Sequence, residues 1–181
     1  MQSLQDERTI DAVLLMHTPI LETRQQSWTD EAECASFARR LALQPAIAHA
    51  FVTLRGPLGA GKTTFARHLL RALGVQGNVK SPTYGLIETY EMPGLTVHHC
   101  DFYRFNDPHE WEDAGIRDLL AGPGLKLVEW PEKAGAPLPS ADLDIDITPV
   151  DSDVGTDTGA PAPLRQVCLK AYSRVGQELL A

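Results

Sequence analysis

Apolar residues follow two rhythms through the first two thirds of the chain, and each rhythm predicts an element. Ala35, Ala38, Leu41 and Ala42 recur at helical spacing. Thr29 stands as the cap of that helix, and Asp30 and Glu31 bring negative charge to its positive end. Ala50–Leu54 (AFVTL) is a short apolar run bounded by Gly56, the pattern of a buried strand. Lys62–Leu73 returns to the helical period, with Phe65, Leu69, Leu70 and Leu73 as its stripe and Gly74 as its stop. Thr83–Tyr90 and Thr96–Cys100 predict strands around a Pro93-Gly94 turn. Asp107-Pro108-His109-Glu110 supplies the acid, proline and glutamate of a helix start. Leu125–Val128 predicts a second buried strand.

The last third changes character. Asp142–Ile147 (DLDIDI) alternates strictly, which predicts a half-exposed strand. Pro149–Pro163 is a low-complexity run of Pro, Gly, Asp, Ser and Thr and reads as a flexible insert. Arg165–Tyr172 alternates again and is expected to pair with the earlier strand across that insert. Residues 1–20 carry no period and read as an extension, leaving 21–181 as one domain. Alternating strands and helices predict an α/β fold: a single three-layer domain with a largely parallel central sheet and C-terminal antiparallel strands.

Composition narrows the setting. At 181 residues, 43% apolar and 22% charged, one core suffices without disulfides or a structural metal. The apolar run Ala12–Met16 is too short for a membrane span or a signal-peptide core, and Asp6 and Glu7 precede it. Cys34, Cys100 and Cys168 are far apart and form no Cys-x-x-Cys, so a reducing cytoplasm is the expected home. A net charge of -8 argues against the chain gripping tRNA or DNA by itself.

One motif carries chemistry. Gly56-Pro57-Leu58-Gly59-Ala60-Gly61-Lys62-Thr63 fits the phosphate-loop pattern G-x-x-x-x-G-K-[ST] between a predicted strand and a predicted helix. Glycines let backbone N–H groups converge on phosphate oxygens, and the helix N-terminus adds positive charge. Lys62 is a point charge for the β- and γ-phosphates of a nucleotide, and the Thr63 hydroxyl suits Mg²⁺. The expected fold is therefore that of a P-loop NTPase. Such a loop needs an acid at the end of a neighbouring strand. Asp101, after Thr96–Cys100, and Glu129, after Leu125–Val128, both qualify. Strand alternation puts His99 with Asp101 and His98 with Cys100, a poor geometry for zinc.

Absences narrow the class. No Asn-Lys-x-Asp and no Leu-Ser-Gly-Gly occur, which disfavours a GTPase and an ABC ATPase. Residues 134–164 contain no Lys or Arg, which removes the natural position of a kinase lid.

The blocks LGAGKTTFARHLLRALG (58–74), NVKSPTY (78–84), HCDFYR (99–104), GIRDLL (115–120) and LVEWPEKAG (127–135) together resemble the bacterial TsaE family of threonylcarbamoyladenosine-biosynthesis ATPases. The resemblance runs from about Thr23 to the C-terminus, excluding the insert. It implies a small P-loop ATPase that uses ATP and Mg²⁺ and assists a TsaB–TsaD pair. That machinery attaches a threonylcarbamoyl group to the adenosine beside the anticodon of tRNAs reading codons that begin with A. TsaE proteins touch tRNA only through that complex and do not themselves transfer the group.

Carried over by residue, the resemblance implies that Gly56, Leu58, Gly59, Ala60, Gly61, Lys62, Thr63 and Thr64 hold the triphosphate. It makes Thr63 and Glu129 the Mg²⁺ ligands and Asp101 the group that orients water or senses the γ-phosphate, with Lys62, Asp101 and Glu129 as the catalytic set. Ser81, Pro82 and Thr83 resemble a switch segment. Trp130, Tyr103 and Arg104 are candidates for partner contact or for shaping the site, and Lys80 reads as surface charge. Pro57, Cys100 and Phe102 depart from the family's usual residues without touching the essential glycines, Lys62 or Thr63. Two other readings stay open at this stage. One is a small-molecule kinase with Asp101 as base and Arg104 as phosphate clamp. The other is a nucleotide-dependent binding module with negligible turnover.

Overall fold

The chain builds seven strands into one mixed sheet, described here from a computed structural model for residues 18–82, 86–104, 115–134, 138–150 and 164–181. In chain order the elements begin with β1 (Glu22–Trp28), α1 (Glu31–Ala42), a 3₁₀ turn (Pro45–His49), β2 (Phe51–Arg55) and α2 (Lys62–Ala72). They continue with β3 (Ile87–Met92), β4 (Leu95–Asp101), α3 (Ile116–Ala121), β5 (Leu125–Glu129) and a second 3₁₀ turn (Pro131–Lys133). The last are β6 (Leu143–Pro149), β7 (Arg165–Ala171) and α4 (Arg174–Leu180). The sheet order is β1-β7-β6-β2-β5-β4-β3. The inner run β6-β2-β5-β4 is parallel, and the flanking strands β3, β7 and β1 are antiparallel to their neighbours.

Parallel inner strands need both faces covered, and the sequence supplies two cores. On one face Phe65 of α2 stacks on Trp28 at 5.9 Å and meets Phe37 of α1 at 5.8 Å. Leu54, Leu127, Ile145 and Leu169 of the sheet lie beneath this cluster. On the other face Phe51, Cys100, Phe102 and Val128 pack with Ile116 and Leu120 of α3. Burying each such side chain contributes about 2 kcal/mol. Helix α4 packs against β6, β7 and the first 3₁₀ turn. The expected three-layer α/β domain with its P-loop NTPase fold is the one observed.

Most predicted elements stand close to their expected bounds. The stripe Phe65, Leu69, Leu70 is fully buried, and Leu73 is half-buried at the C-cap. Gly74 (φ +104°) donates to Arg71 O, and Val75 donates to Leu70 O at 3.0 Å, the paired bonds that close a helix C-terminus. β3 and β4 form the hairpin around Pro93-Gly94. β6 and β7 pair antiparallel, as their alternation implied, and Val150 N–H extends the pairing to Leu164 O at 2.8 Å. The helix start at 107–110 and Thr83 lie outside the described residues, as do 1–17 and 151–163 of the extension and insert.

Two expectations need correction, and one strand went unpredicted. The cap of α1 is Asp30, whose carboxylate accepts from Glu33 N–H at 2.9 Å, while Glu33 reaches back to the Thr29 N–H. The cap thus sits one residue later than predicted, and the Thr29 hydroxyl instead donates to Glu33 Oε2 at 3.0 Å. Strand β1 had no signal. Its sequence ETRQQSW is polar on both faces, and only Trp28 is buried, as an edge strand allows. Asp142–Ile147 does not give a half-exposed strand. β6 lies inside the sheet between β2 and β7, and Asp144 is buried because Thr53 Oγ1 (2.6 Å) and Arg55 Nε (3.0 Å) both donate to its carboxylate.

Candidate nucleotide-binding site

The phosphate loop grows from the end of β2, the central strand of the seven. Gly56 has φ +124°, and a Cβ there would lie 2.0 Å from the Ile147 carbonyl oxygen of β6. Only glycine fits, so the loop leaves the sheet pressed against its neighbour strand. The loop returns through Gly61 into α2, whose first turn has no side-chain cap. Its backbone N–H groups therefore open onto a cavity of about 270 Å³.

The loop residues Leu58 to Thr64 form one wall of this cavity; Ser81, Asp101, Tyr103, Glu129 and Trp130 form the other. Of the catalytic and loop candidates, all but Gly56 line this cavity, at one end of β2, β4 and β5. Leu58 is exposed at the loop's apex. Lys62 is buried, and its Nζ donates to the carbonyls of Gly56 (2.6 Å) and Pro57 (2.9 Å). The Trp130 ring lies 3.6 Å from the same ammonium. Burial pulls the Lys62 pKa below the usual lysine range, against the opposing pull of Glu129, Glu132 and Asp101.

The two acids hold different places. Glu129 is fully buried, and its Oε2 accepts from Thr63 Oγ1 at 2.8 Å. Its Oε1 meets His99 Nε2 at 2.9 Å. Asp101, opposite Glu129 in the β4–β5 register, accepts from the Ser81 hydroxyl and from Tyr103 N–H (2.9 Å). Trp130 adopts φ +58°, a left-handed conformation that costs a non-glycine residue about 1 kcal/mol. Tyr103 packs on it at 5.0 Å, and Lys133 lies 4.3 Å from the Tyr103 ring. Arg104, Lys80 and the apex Leu58 are exposed, whereas Pro82 is buried. His98 bonds Thr89 at the surface and Cys100 sits in the second core, where burial pushes its thiol up to about 12.

Residues 28–156 match the family model described as Threonylcarbamoyl adenosine biosynthesis protein TsaE. The chain belongs to the TsaE family. The tRNA threonylcarbamoyladenosine biosynthesis protein TsaE of Haemophilus influenzae is 43% identical over 122 residues, covering 67% of this chain and 77% of that one. The TsaE protein of Rickettsia bellii is 36% identical over 126 residues, covering 68% and 85%. The crystal structure of Bacillus subtilis YdiB superposes with a TM-score of 0.67 at 26% identity, over 88% of this chain and 92% of that one. The TsaE match spans the loop, Ser81, Asp101, Glu129 and Trp130 together.

Two features of the site escaped sequence reasoning. His99 is a partner of Glu129, visible only once the strand register is known. A second cavity, of about 150 Å³, opens on the far side of the loop between Trp28, Asp30, Glu31, Cys34, Thr64 and Arg165. Arg165 Nε donates to Ala60 O there at 2.8 Å, and burial first, then Glu31, pushes the Cys34 thiol up to about 12. Apart from the loop's own Ala60, Gly61 and Thr64, its residues come from β1, the start of α1 and β7, so no local pattern joins those to the loop.

Proposed function

We propose that this TsaE-family chain is a Mg²⁺-dependent ATPase that serves the formation of threonylcarbamoyladenosine in tRNA, acting with a TsaB–TsaD pair. The observation that carries the reading is the bond between Thr63 and Glu129 beside the buried Lys62. A hydroxyl and a carboxylate, with no sulfur in the set, suit a hard divalent cation. Thr63 and Glu129 would hold Mg²⁺. When bound, that ion would neutralise charge on the β- and γ-phosphates.

The chain's own groups do the rest. Loop N–H groups at the uncapped start of α2 bind the phosphates. Lys62 exchanges its carbonyl partners for phosphate oxygens and answers charge that builds as the γ-phosphoryl group leaves. Asp101, held by Ser81 and the Tyr103 N–H, orients the attacking water. The second cavity, on the Thr64 side of the loop, takes the nucleoside end of the ATP. Trp130 and Tyr103 lie beside the phosphates, where nucleotide state alters a surface that a partner reads. The acidic total supports contact with tRNA through the complex rather than directly, and the three free cysteines suit the cytoplasm as the setting.

The test is steady-state ATP hydrolysis by the chain alone and with TsaB–TsaD, beside a pull-down with ATP analogue, ADP or no nucleotide. Hydrolysis is expected to be slow alone and to rise clearly with the pair. Lys62→Ala should lower it by about 10²–10³-fold while leaving the fold intact, as melting measurements would check. Equal partner capture in all three states without stimulation would sink the coupled ATPase.

A further inference from the structure

We propose that His99 is the positioning residue of this site: its imidazole fixes one carboxylate oxygen of Glu129 so that the other stays aimed at Thr63 and the loop. The proposal rests on the reading of Glu129 as a Mg²⁺ ligand.

His99 lies in a place that favours an apolar side chain. It is fully buried, and its neighbours Val97, Leu125 and Leu127 are fully buried too. An imidazole there costs desolvation that a leucine would not. Its other nitrogen, Nδ1, has no hydrogen-bond partner among the described residues. With the proton on Nε2, the ring donates to Glu129 Oε1 and leaves only a lone pair at Nδ1. A histidine kept for its own satisfaction would pair both nitrogens. Among the described residues this one makes a single polar contact, and that contact is to Glu129.

The two partners of Glu129 differ in what they are attached to. Thr63 belongs to the loop end of α2, and its hydroxyl bond would give way to a cation held by Thr63 and Glu129. His99 belongs to β4, which pairs with β5 along its length, and it holds the opposite oxygen. A glutamate has three rotatable side-chain bonds, so a single loop contact would leave the carboxylate free to swing. The imidazole removes that freedom before the cation arrives. Outer partners of this kind typically alter metal affinity by about 10–100-fold when removed.

The experiment compares full-length His99→Gln and His99→Asn. A Gln amide reaches the Nε2 position, whereas an Asn amide stops near Nδ1. Binding of a non-hydrolysable ATP analogue is titrated at stepped Mg²⁺ concentrations and in EDTA, with melting temperatures measured alongside. His99→Asn should raise the Mg²⁺ midpoint by about 10–100-fold, and His99→Gln should stay near the unsubstituted protein. Both should keep the affinity seen in EDTA. A folded Asn variant with an unshifted midpoint overturns the proposal, as does a folded Gln variant shifted as far as Asn. If only one variant folds, that variant decides by the same criterion. If the unsubstituted protein shows no Mg²⁺ dependence, the assignment of Glu129 falls and the proposal falls with it. A Mg²⁺-dependent protein with insensitive variants removes His99 alone.

Discussion

Two buried carboxylates stand on neighbouring strands of β2, and they have opposite surroundings. Asp144 on β6 meets the Arg55 guanidinium and the Thr53 hydroxyl, and the same arginine reaches Glu132 at 3.2 Å. Glu129 on β5 meets a hydroxyl and an imidazole, with no guanidinium or ammonium in hydrogen-bond range among the described residues. The first carboxylate has its cation built into the sheet. The second is ringed by groups that orient it and leave room for a cation from outside. The contrast separates a tie that holds strands together from a carboxylate proposed to take a cation, although both acids end or line apolar strands.

The largest expected effect falls on the second. Glu129→Ala should weaken Mg²⁺-dependent ATP hydrolysis by about 10²-fold while changing metal-free ADP affinity little. A Mg²⁺ titration in both proteins reads the difference. An unchanged requirement would move the cation to Asp101 and dissolve the contrast. Asp144→Ala should act the other way, lowering stability by about 1–3 kcal/mol by leaving Thr53 and Arg55 without their acceptor. The figure stays at the low side of buried ion pairs because the arginine is 40% exposed. Thermal melting should fall by several degrees, with hydrolysis per folded molecule nearly unchanged. Deleting Ser152–Ala160 should have the smallest effect, under about 1 kcal/mol in denaturant unfolding, because closure entropy depends weakly on loop length. The Val150–Leu164 bond leaves the strand pairing in place. Loss of the fold or of partner binding on deletion would make that segment part of the structure.

What could be read from the sequence follows the range of each interaction. The loop was legible because its glycines, Lys62 and Thr63 are consecutive and flanked by a strand and a helix. Glu129 was legible as the polar end of a buried run. The helical stripe of α2 was legible because its period is local. Asp144 was misread because alternation reports side-chain direction, and a paired acid can face inward as well as out. β1 was invisible because an edge strand with polar faces has no hydrophobic period. The role of His99 depends on the β4–β5 register, which places Asp101 beside Glu129 and brings His99 within reach of the same carboxylate. No spacing within either strand encodes that.

Lys62 lies against the carbonyls of its own loop and the face of Trp130. Any ligand that takes this ammonium therefore enters an exchange, not a simple addition. The affinity measured is the difference between two sets of contacts of one cation, and only the new set depends on the ligand. A polyphosphate would replace both carbonyls with charged oxygens. A neutral molecule of the same size offers nothing stronger than what Lys62 already holds. On the proposed function, a preference for anions would thus be set partly by the reference state of the loop itself, before any contact to base or sugar.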